Sequence, residues 1–181
     1  MDDNKTKTDE EIVELVRKGN KELYAHIIHR YQTRLVRYAQ NLVGDSDRAS
    51  DAVQESFVKA YINLNGFDTR KKFSSWIYRI VHNEVINIVD KYGKNLRLDP
   101  DIDFDGGINI EDSYIKEELV LHAHECLKQM KLIYREALSL YYLEDKSYDE
   151  ISDILRLPMG TVATRINRAK AIMREICQTK I

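Results

Sequence analysis

Apolar positions recur at intervals of three and four along most of this chain, a spacing that predicts amphipathic helices. Thr8 and Glu11 match a capping box, so a first helix is expected to run from there to Lys18. Further periodic runs predict a helix over 21–43, one from Gly44 to near residue 64, and one from residue 73 to near residue 90. Their expected inner positions are Leu23, Ile27, Tyr31, Leu35, Ala39 and Leu42 in the first run, Ala49, Ala52, Val53, Phe57, Ala60, Tyr61 and Leu64 in the second, and Phe73, Trp76, Ile77, Ile80 and Ile88 in the third.

The helical pattern stops after Tyr92, where an Asp-rich stretch with Pro100 and a pair of glycines shows no period. Structureless stretches of this length are usually disordered or functional. Helical spacing resumes near Ser113. The predicted fold is all-α, with an N-terminal helical domain (1–92), a flexible acidic linker (93–112) and a C-terminal helical domain (113–181). The first C-terminal helices are marked by Ile115, Leu119, His122, Cys126 and Met130, and then by Ile133, Ala137, Leu140 and Tyr141.

The stretch Ser147–Lys170 has the pattern of a helix-turn-helix. A short helical run is interrupted at Leu157-Pro158-Met159-Gly160, because proline lacks a backbone donor and disfavours helix in the residue before it. A second run then places Val162, Ile166, Ala169 and Met173 on one face, with basic residues outside. In this motif the second helix enters a DNA major groove. An ordinary helical hairpin gives the same pattern and stays open as the alternative.

Composition places the chain among cytoplasmic, helix-rich proteins. Its 181 residues are 43% hydrophobic and 32% charged, and no apolar run approaches the roughly 20 residues that span a bilayer. The N-terminus lacks the apolar segment of a signal peptide. Cys126 and Cys177 form no CxxC pair, so free thiols in a reducing cytosol are expected.

The distribution of charge, rather than the net charge of −2, indicates nucleic-acid binding. Residues 68–97 hold seven basic and three acidic side chains, and residues 156–181 hold six basic side chains and one acidic. Acidic residues dominate between these patches. The alternating aspartates of the linker could imitate a phosphate backbone, and plain solvated disorder explains them equally well.

Two stripes of side chains on the N-terminal helices suggest binding surfaces: the first is acidic at one end and apolar at the other, and the second is basic and amide-bearing. The stripe on the third predicted helix (from Gly44 to near residue 64) is called the α3 stripe and consists of Asp51, Gln54, Glu55, Val58 and Ile62. The stripe that starts just before the fourth predicted helix (from residue 73 to near residue 90) is called the α4 stripe and consists of Lys72, Ser75, Arg79, Asn83 and Asn87. The first is either a protein-docking surface or a solvated face. The second lies beside a loop aromatic and suits single-stranded nucleic acid, because its cations can contact phosphates and an aromatic ring can stack on a base. Trp76 is either core or such a stacking platform.

Neither a metal site nor a catalytic site is expected. His122 and Cys126 share a helix face, but His124 points elsewhere, and tetrahedral zinc needs three or four protein ligands. His26 and His29 lack a further ligand. No phosphate-binding loop and no nucleophile beside a base is apparent. We therefore expect no cofactor and no enzymatic activity.

Three stretches in order resemble the extracytoplasmic-function sigma factors of bacterial RNA polymerase: 47–61 (DRASDAVQESFVKAY), 73–87 (FSSWIYRIVHNEVIN) and 147–170. The resemblance implies that an N-terminal domain binds the polymerase and melts the minus-ten element, that a C-terminal domain binds the minus-thirty-five element, and that the linker threads the polymerase. It implies core-polymerase contacts, to the clamp helices of the largest subunit, by Asp51, Gln54, Glu55 and Phe57; minus-ten contacts by Asn65, Phe67, Asp68, Arg70, Lys71, Lys72, Trp76, Arg79 and Asn83; and minus-thirty-five contacts by Arg156, Thr161, Thr164, Arg165 and Arg168.

The same resemblance implies promoter DNA and an anti-sigma factor as partners, with no membrane insertion by this chain. Two departures stand out. Arg156 occupies a turn position where the family often has Gly, and Ala163-Thr164 stands where many members have a cation followed by Ser. A stand-alone DNA-binding regulator and a protein-interaction module remain the alternatives.

Overall fold

The computed structural model describes residues 7–92 and 122–178, and all regular structure within these ranges is helical. The helices are α1 (Asp9–Arg17), α2 (Tyr24–Val43), α3 (Ser46–Ile62), α4 (Phe73–Tyr92), α5 (helical over 122–128), α6 (Leu132–Tyr142), α7 (Tyr148–Leu155) and α8 (Met159–Gln178), with 3-10 turns at Lys21–Leu23 and Leu64–Gly66. The predicted linker lies outside the described residues. The all-α prediction is confirmed.

Local capping fixes several helix boundaries. The Thr8 hydroxyl accepts a hydrogen bond from the Glu11 N–H at 3.2 Å, and the Glu11 carboxylate accepts one from the Thr8 N–H at 2.8 Å, as the sequence predicts. Gly44 ends α2 in the left-handed region at φ 75°, and Asp45 caps α3. The predicted start of the second helix is corrected, because Lys21–Leu23 adopts a 3-10 turn and α2 begins at Tyr24.

The inner faces of α2, α3 and α4 form the N-terminal core. Leu35, Tyr38, Phe73, Ile77 and Tyr78 are fully buried. Burying such side chains contributes on the order of 2 kcal/mol each, which is why the apolar stripes decide how these helices pack.

The two helical domains share one continuous core. Ala137, Leu140, Ile151, Ile154 and Val162 of the C-terminal domain belong to the same apolar cluster as the N-terminal residues. α7 packs against α4, and α6 packs against α2. A smaller C-terminal cluster is built on Leu127, Met130, Leu138 and Ala169. The C-terminal domain therefore rests directly on the helix that carries the α4 stripe.

No helix within residues 7–92 and 122–178 has both the length and the apolar content needed to cross a membrane.

Candidate nucleic-acid and partner-binding surfaces

The α3 stripe is open to solvent. Asp51, Gln54 and Glu55 are exposed, and the aliphatic side chains of Val58 and Ile62 are 53% and 70% exposed. Two large aliphatics beside acidic residues on one helix face suit a protein partner better than water. The geometry therefore favours a docking surface over a solvated face.

Phe57 lies beneath this surface. Its side chain is buried, and its backbone carbonyl accepts a hydrogen bond from the Tyr24 hydroxyl at 2.8 Å. Phe57 therefore occupies the inner face that the periodicity predicts and supports the α3 stripe from inside the core, and its contact with a partner stays a prediction. Tyr61, expected on the inner face, is 38% exposed and packs its ring on that of Tyr24 at 5.0 Å.

The loop before α4 is built around an aromatic cluster. Phe67 is buried, with its ring 5.4 Å from that of Phe73 and 5.0 Å from that of Trp76. Phe67 is therefore not an exposed stacking platform, which corrects the sequence assignment. Trp76 is half-buried in the same cluster.

Arg17 fastens this loop to α1, a role that sequence reasoning missed. Its guanidinium donates hydrogen bonds to the Leu64 carbonyl at 3.1 and 2.5 Å, and another to the Phe67 carbonyl. A single arginine at a helix end carries no signal for such a long-range contact.

The outer side of the loop is cationic. Asn65, Arg70, Lys71 and Lys72 are exposed. Asp68 accepts two hydrogen bonds from the Arg70 guanidinium, each at 2.9 Å, which lower the pKa of Asp68 to about 2. This pair lies at the solvent-exposed surface, and Lys71 beside it is exposed as well.

The α4 stripe is covered at one end by the C-terminal domain. Lys72 Nζ lies 3.4 Å from a Glu150 carboxylate oxygen, and Arg79 donates to the Asp153 carboxylate at 3.0 Å. Both acidic residues belong to α7. Asn83 is exposed, whereas Ser75 is buried, which removes Ser75 from the predicted stripe. Two of the cations expected to contact DNA are therefore paired with protein carboxylates.

Glu144, in the loop between α6 and α7, joins the two domains. Its side chain is fully buried and accepts hydrogen bonds from Arg37 at 2.8 and 3.0 Å and from the Tyr78 hydroxyl at 2.5 Å. Arg34 lies 3.4 Å away. Lys146 of the same loop sits 4.5 Å from the centre of the Tyr78 ring. We call Glu144 and these partners the Glu144 cluster.

The helix-turn-helix forms as predicted, with one shift. Ser147 and Glu150 make a second capping box at the start of α7. Arg156 ends α7 in the left-handed conformation at φ 53°, the backbone that the family's glycine would favour. The turn is shorter than expected, because Met159 and Gly160 already belong to α8.

The predicted recognition residues on the outer face of α8 differ in exposure and in pairing. Thr164 and Arg168 are exposed, as is Arg156, while Thr161 is half-buried. Arg165 is instead tied to the buried Glu136 of α6 at 2.6 Å.

A cleft of about 380 Å³ lies beside Thr161 and Arg168 and reaches Ile133 of α6. The Ile133 side chain was expected in the core but is 43% exposed. Ile133 therefore places an exposed apolar side chain at the edge of the predicted recognition face.

His82 and Glu136 meet at the interdomain boundary. The Tyr38 hydroxyl lies 3.0 Å from His82 Nδ1, and His82 Nε2 lies 3.9 Å from the Glu136 carboxylate. Burial, together with the nearby Arg165 charge, lowers the pKa of His82 to about 4, so the imidazole is neutral and this contact is not an ion pair. Burial raises the pKa of Glu136.

The expectation of two free thiols is wrong. Cys126 of α5 and Cys177 of α8 form a disulfide, and His122 lies beside them. Residues 51 positions apart along the chain gave no local pattern from which this pairing could be predicted.

Comparisons with known proteins agree with the two-domain helical fold. Residues 27–94 match the family model of Sigma-70 region 2, and residues 122–173 match that of Sigma-70 region 4. The ECF RNA polymerase sigma factor SigW of Bacillus subtilis is 30% identical over 174 residues, which cover 90% of this chain and 93% of SigW. The ECF RNA polymerase sigma-E factor of Escherichia coli K12 is 33% identical over 177 residues, which cover 90% of this chain and 91% of that protein.

Solved structures share the fold. CnrH, in complex with the cytosolic domain of CnrY, superposes with a TM-score of 0.76 at 21% identity, covering 96% of this chain and 99% of that chain. The sigma factor RpoE of Bartonella quintana, in complex with the anti-sigma factor NepR, gives a TM-score of 0.72 at 20% identity, covering 86% and 96%. With both regions matched in order and relatives aligned over nearly their whole length, the chain belongs to the extracytoplasmic-function (ECF) sigma factors of RNA polymerase.

Proposed function

We propose that the N-terminal domain docks this sigma factor on the clamp helices of core RNA polymerase through the α3 stripe. The observation that carries this proposal is the exposure of two aliphatic side chains, Val58 and Ile62, in line with exposed Asp51, Gln54 and Glu55. Acidic groups would attract a basic helix surface and speed encounter, and the aliphatics would supply buried contact area.

Promoter DNA is then bound at two surfaces. Arg70 and Lys71 of the loop would hold the backbone of the melted minus-ten strand, and Asn83 and Trp76 of α4 would contact its bases. This surface becomes complete only when α7 moves away from Lys72 and Arg79. A flipped base would be held by stacking and hydrogen bonds that offset the few kcal/mol of unstacking.

The second DNA surface is α8. Thr161 and Thr164 lie near the helix start, where side chains reach base edges of the major groove. Exposed Arg168 and Arg156 would contact phosphates, and Ile133 would add an apolar contact. Arg165 can contact DNA only if its ion pair with Glu136 breaks.

The sigma factor would act in the cytoplasm without catalytic activity of its own, since the polymerase performs the chemistry. An anti-sigma factor is proposed as its regulator. This is supported by the CnrH and RpoE folds, each solved in a complex, the latter with the anti-sigma factor NepR. Such a partner would compete for the same exposed surfaces.

Transcription in vitro with core polymerase tests the assignment. The wild-type chain should yield promoter-specific transcripts from a genomic template library, whereas Glu55→Lys should lower core affinity at least about tenfold, because it places a cation where an acidic contact is expected. Glu22→Lys, the same charge change at an exposed position outside the α3 stripe, is the control.

Failure of the wild-type chain to bind core polymerase would overturn the docking assignment. Equal core affinity of Glu55→Lys and wild type would return the α3 stripe to a solvated face.

A further inference from the structure

Three side chains with metal-binding atoms meet where α5 contacts the last turn of α8. His122 and Cys126 are one helical turn apart, with Nε2 3.7 Å from the Cys126 sulfur, and Cys177 approaches from α8. All three candidate ligand atoms lie within 4.8 Å of one another, and no other group of this kind occurs in residues 7–92 and 122–178. Helix α5 alone brings only His122 and Cys126 together, one ligand fewer than zinc needs from the protein. Cys177 of α8 supplies the third ligand.

The disulfide is one of two states available to these residues. A dithiol reductant gives two electrons and two protons to the Cys126 and Cys177 sulfurs and itself closes a disulfide. The Cα atoms are 5.9 Å apart, so rotation of the side chains alone can separate the reduced sulfurs to about 3.8 Å, the spacing of two thiolates around tetrahedral zinc. The reduced chain therefore keeps all three ligands in place.

We propose that reduced Cys126 and Cys177, together with His122, bind a thiophilic divalent cation of the Zn²⁺ class. Metal–sulfur and metal–nitrogen bonds of about 2.3 and 2.05 Å around a tetrahedral centre place N and S about 3.6 Å apart, close to the 3.7 Å observed between His122 and Cys126. Two thiolates balance the charge of the ion, and their two protons pass to solvent on binding. The fourth position is left to water.

Burial suits an exchangeable ion. Cys126 is fully buried, whereas His122 and Cys177 are half-buried, so the site borders solvent on one side. Apolar side chains of the smaller C-terminal cluster, including Leu127 and Ile176, pack nearby and would shield the thiolates.

The site would link the metal to DNA binding. α8 begins with the predicted recognition residues and ends at the cysteine ligand, so a bound ion holds the far end of the same helix to α5. Oxidation to the disulfide also ties the two helices but removes both thiolates, which makes metal binding and the disulfide mutually exclusive.

Cobalt titration of the full chain tests the proposal. After reduction with a phosphine under anaerobic conditions, Co²⁺ should bind one per chain, with the intense d–d bands of a tetrahedral site and a thiolate charge-transfer band. Zn²⁺ should then displace it. Zn²⁺ should also raise the thermal unfolding midpoint of the reduced chain, and the disulfide form should show neither effect.

Single substitutions assign the ligands. Cys126→Ser and Cys177→Ser should each abolish most of the thiolate band, and His122→Gln should weaken Co²⁺ binding at least about tenfold, since even outer-shell changes cost roughly 10- to 100-fold. His29→Gln, which alters an exposed histidine of α2, is the control and should bind as wild type. Three outcomes would overturn the site: no Co²⁺ or Zn²⁺ binding by the reduced wild-type chain, binding without a thiolate band, or unchanged affinity in His122→Gln.

Discussion

The α3 stripe and the α4 stripe lie on neighbouring helices of one domain, yet only the α4 stripe makes ion pairs with the C-terminal domain. Val58 and Ile62 of the α3 stripe are open to solvent, whereas Lys72 and Arg79 of the α4 stripe face carboxylates of α7. Under the roles proposed above, the surface for the polymerase would be available before the surface for the melted strand.

The contacts that cover the α4 stripe are not the ones that hold the domains together. The Lys72 and Arg79 pairs are partly solvated, and such pairs contribute about 0 to 1 kcal/mol. The Glu144 carboxylate is fully buried and hydrogen-bonded by Arg37 and Tyr78. The packing of the C-terminal domain on the N-terminal domain is therefore fixed mainly by the Glu144 cluster and the shared apolar core, and the ion pairs of Lys72 and Arg79 add little to it.

The largest effect should come from Glu144→Ala. It leaves the Tyr78 hydroxyl buried without its acceptor and Arg37 without its carboxylate, and breaking a buried pair costs about 3–5 kcal/mol. Because Arg34 and Arg37 are partly exposed, we expect the lower end of that range. X-ray scattering should show a larger radius of gyration, because the C-terminal domain would no longer be held on the N-terminal domain. Glu55→Ala should stay compact, and an equally compact Glu144→Ala would contradict this role.

A pH dependence at the same interface should follow from His82. Its folded pKa of about 4 lies below its ordinary value of 6.5, so in this window the unfolded chain binds a proton that the folded chain does not. The free energy of unfolding should therefore fall as pH drops from about 6.5 to about 4, by on the order of 3 kcal/mol from this group.

His82→Gln should flatten that dependence in denaturant titrations between pH 7 and pH 4. Glu136, with its raised pKa, acts in the opposite direction. The informative quantity is therefore the difference in the free energy of unfolding between the variant and the wild type at each pH. Parallel curves for the two proteins would show that His82 does not titrate as inferred.

The smallest effect should come from uncovering the α4 stripe itself. Asp153→Ala removes the carboxylate that pairs with Arg79 and should raise affinity for single-stranded minus-ten DNA by up to about fivefold, the equivalent of about 1 kcal/mol. Asp149→Ala makes the same charge change on an exposed position of α7. An equal gain in both variants would attribute the effect to net charge rather than to release of Arg79.

Local features of this fold could be predicted from sequence, and long-range ones could not. Both capping boxes depend on residues three positions apart, and the left-handed turn at Arg156 depends on the motif around it. The Glu144 contacts join residues 66 and 107 positions apart, and no periodicity encodes such a pairing. Phe67 shows the same limit, because a loop aromatic between turn residues has the same local pattern whether it faces bases or the core.

The aromatic cluster before α4 gives this protein a built-in optical probe. Trp76 is the single tryptophan of the 181 residues, and it sits half-buried between Phe67 and Phe73, on the side of α4 that also carries Lys72 and Arg79. Indole emission depends on polarity and on nearby quenching groups. The emission wavelength and intensity of Trp76 therefore report, without any attached dye, on the surface where α7 and a DNA base would compete.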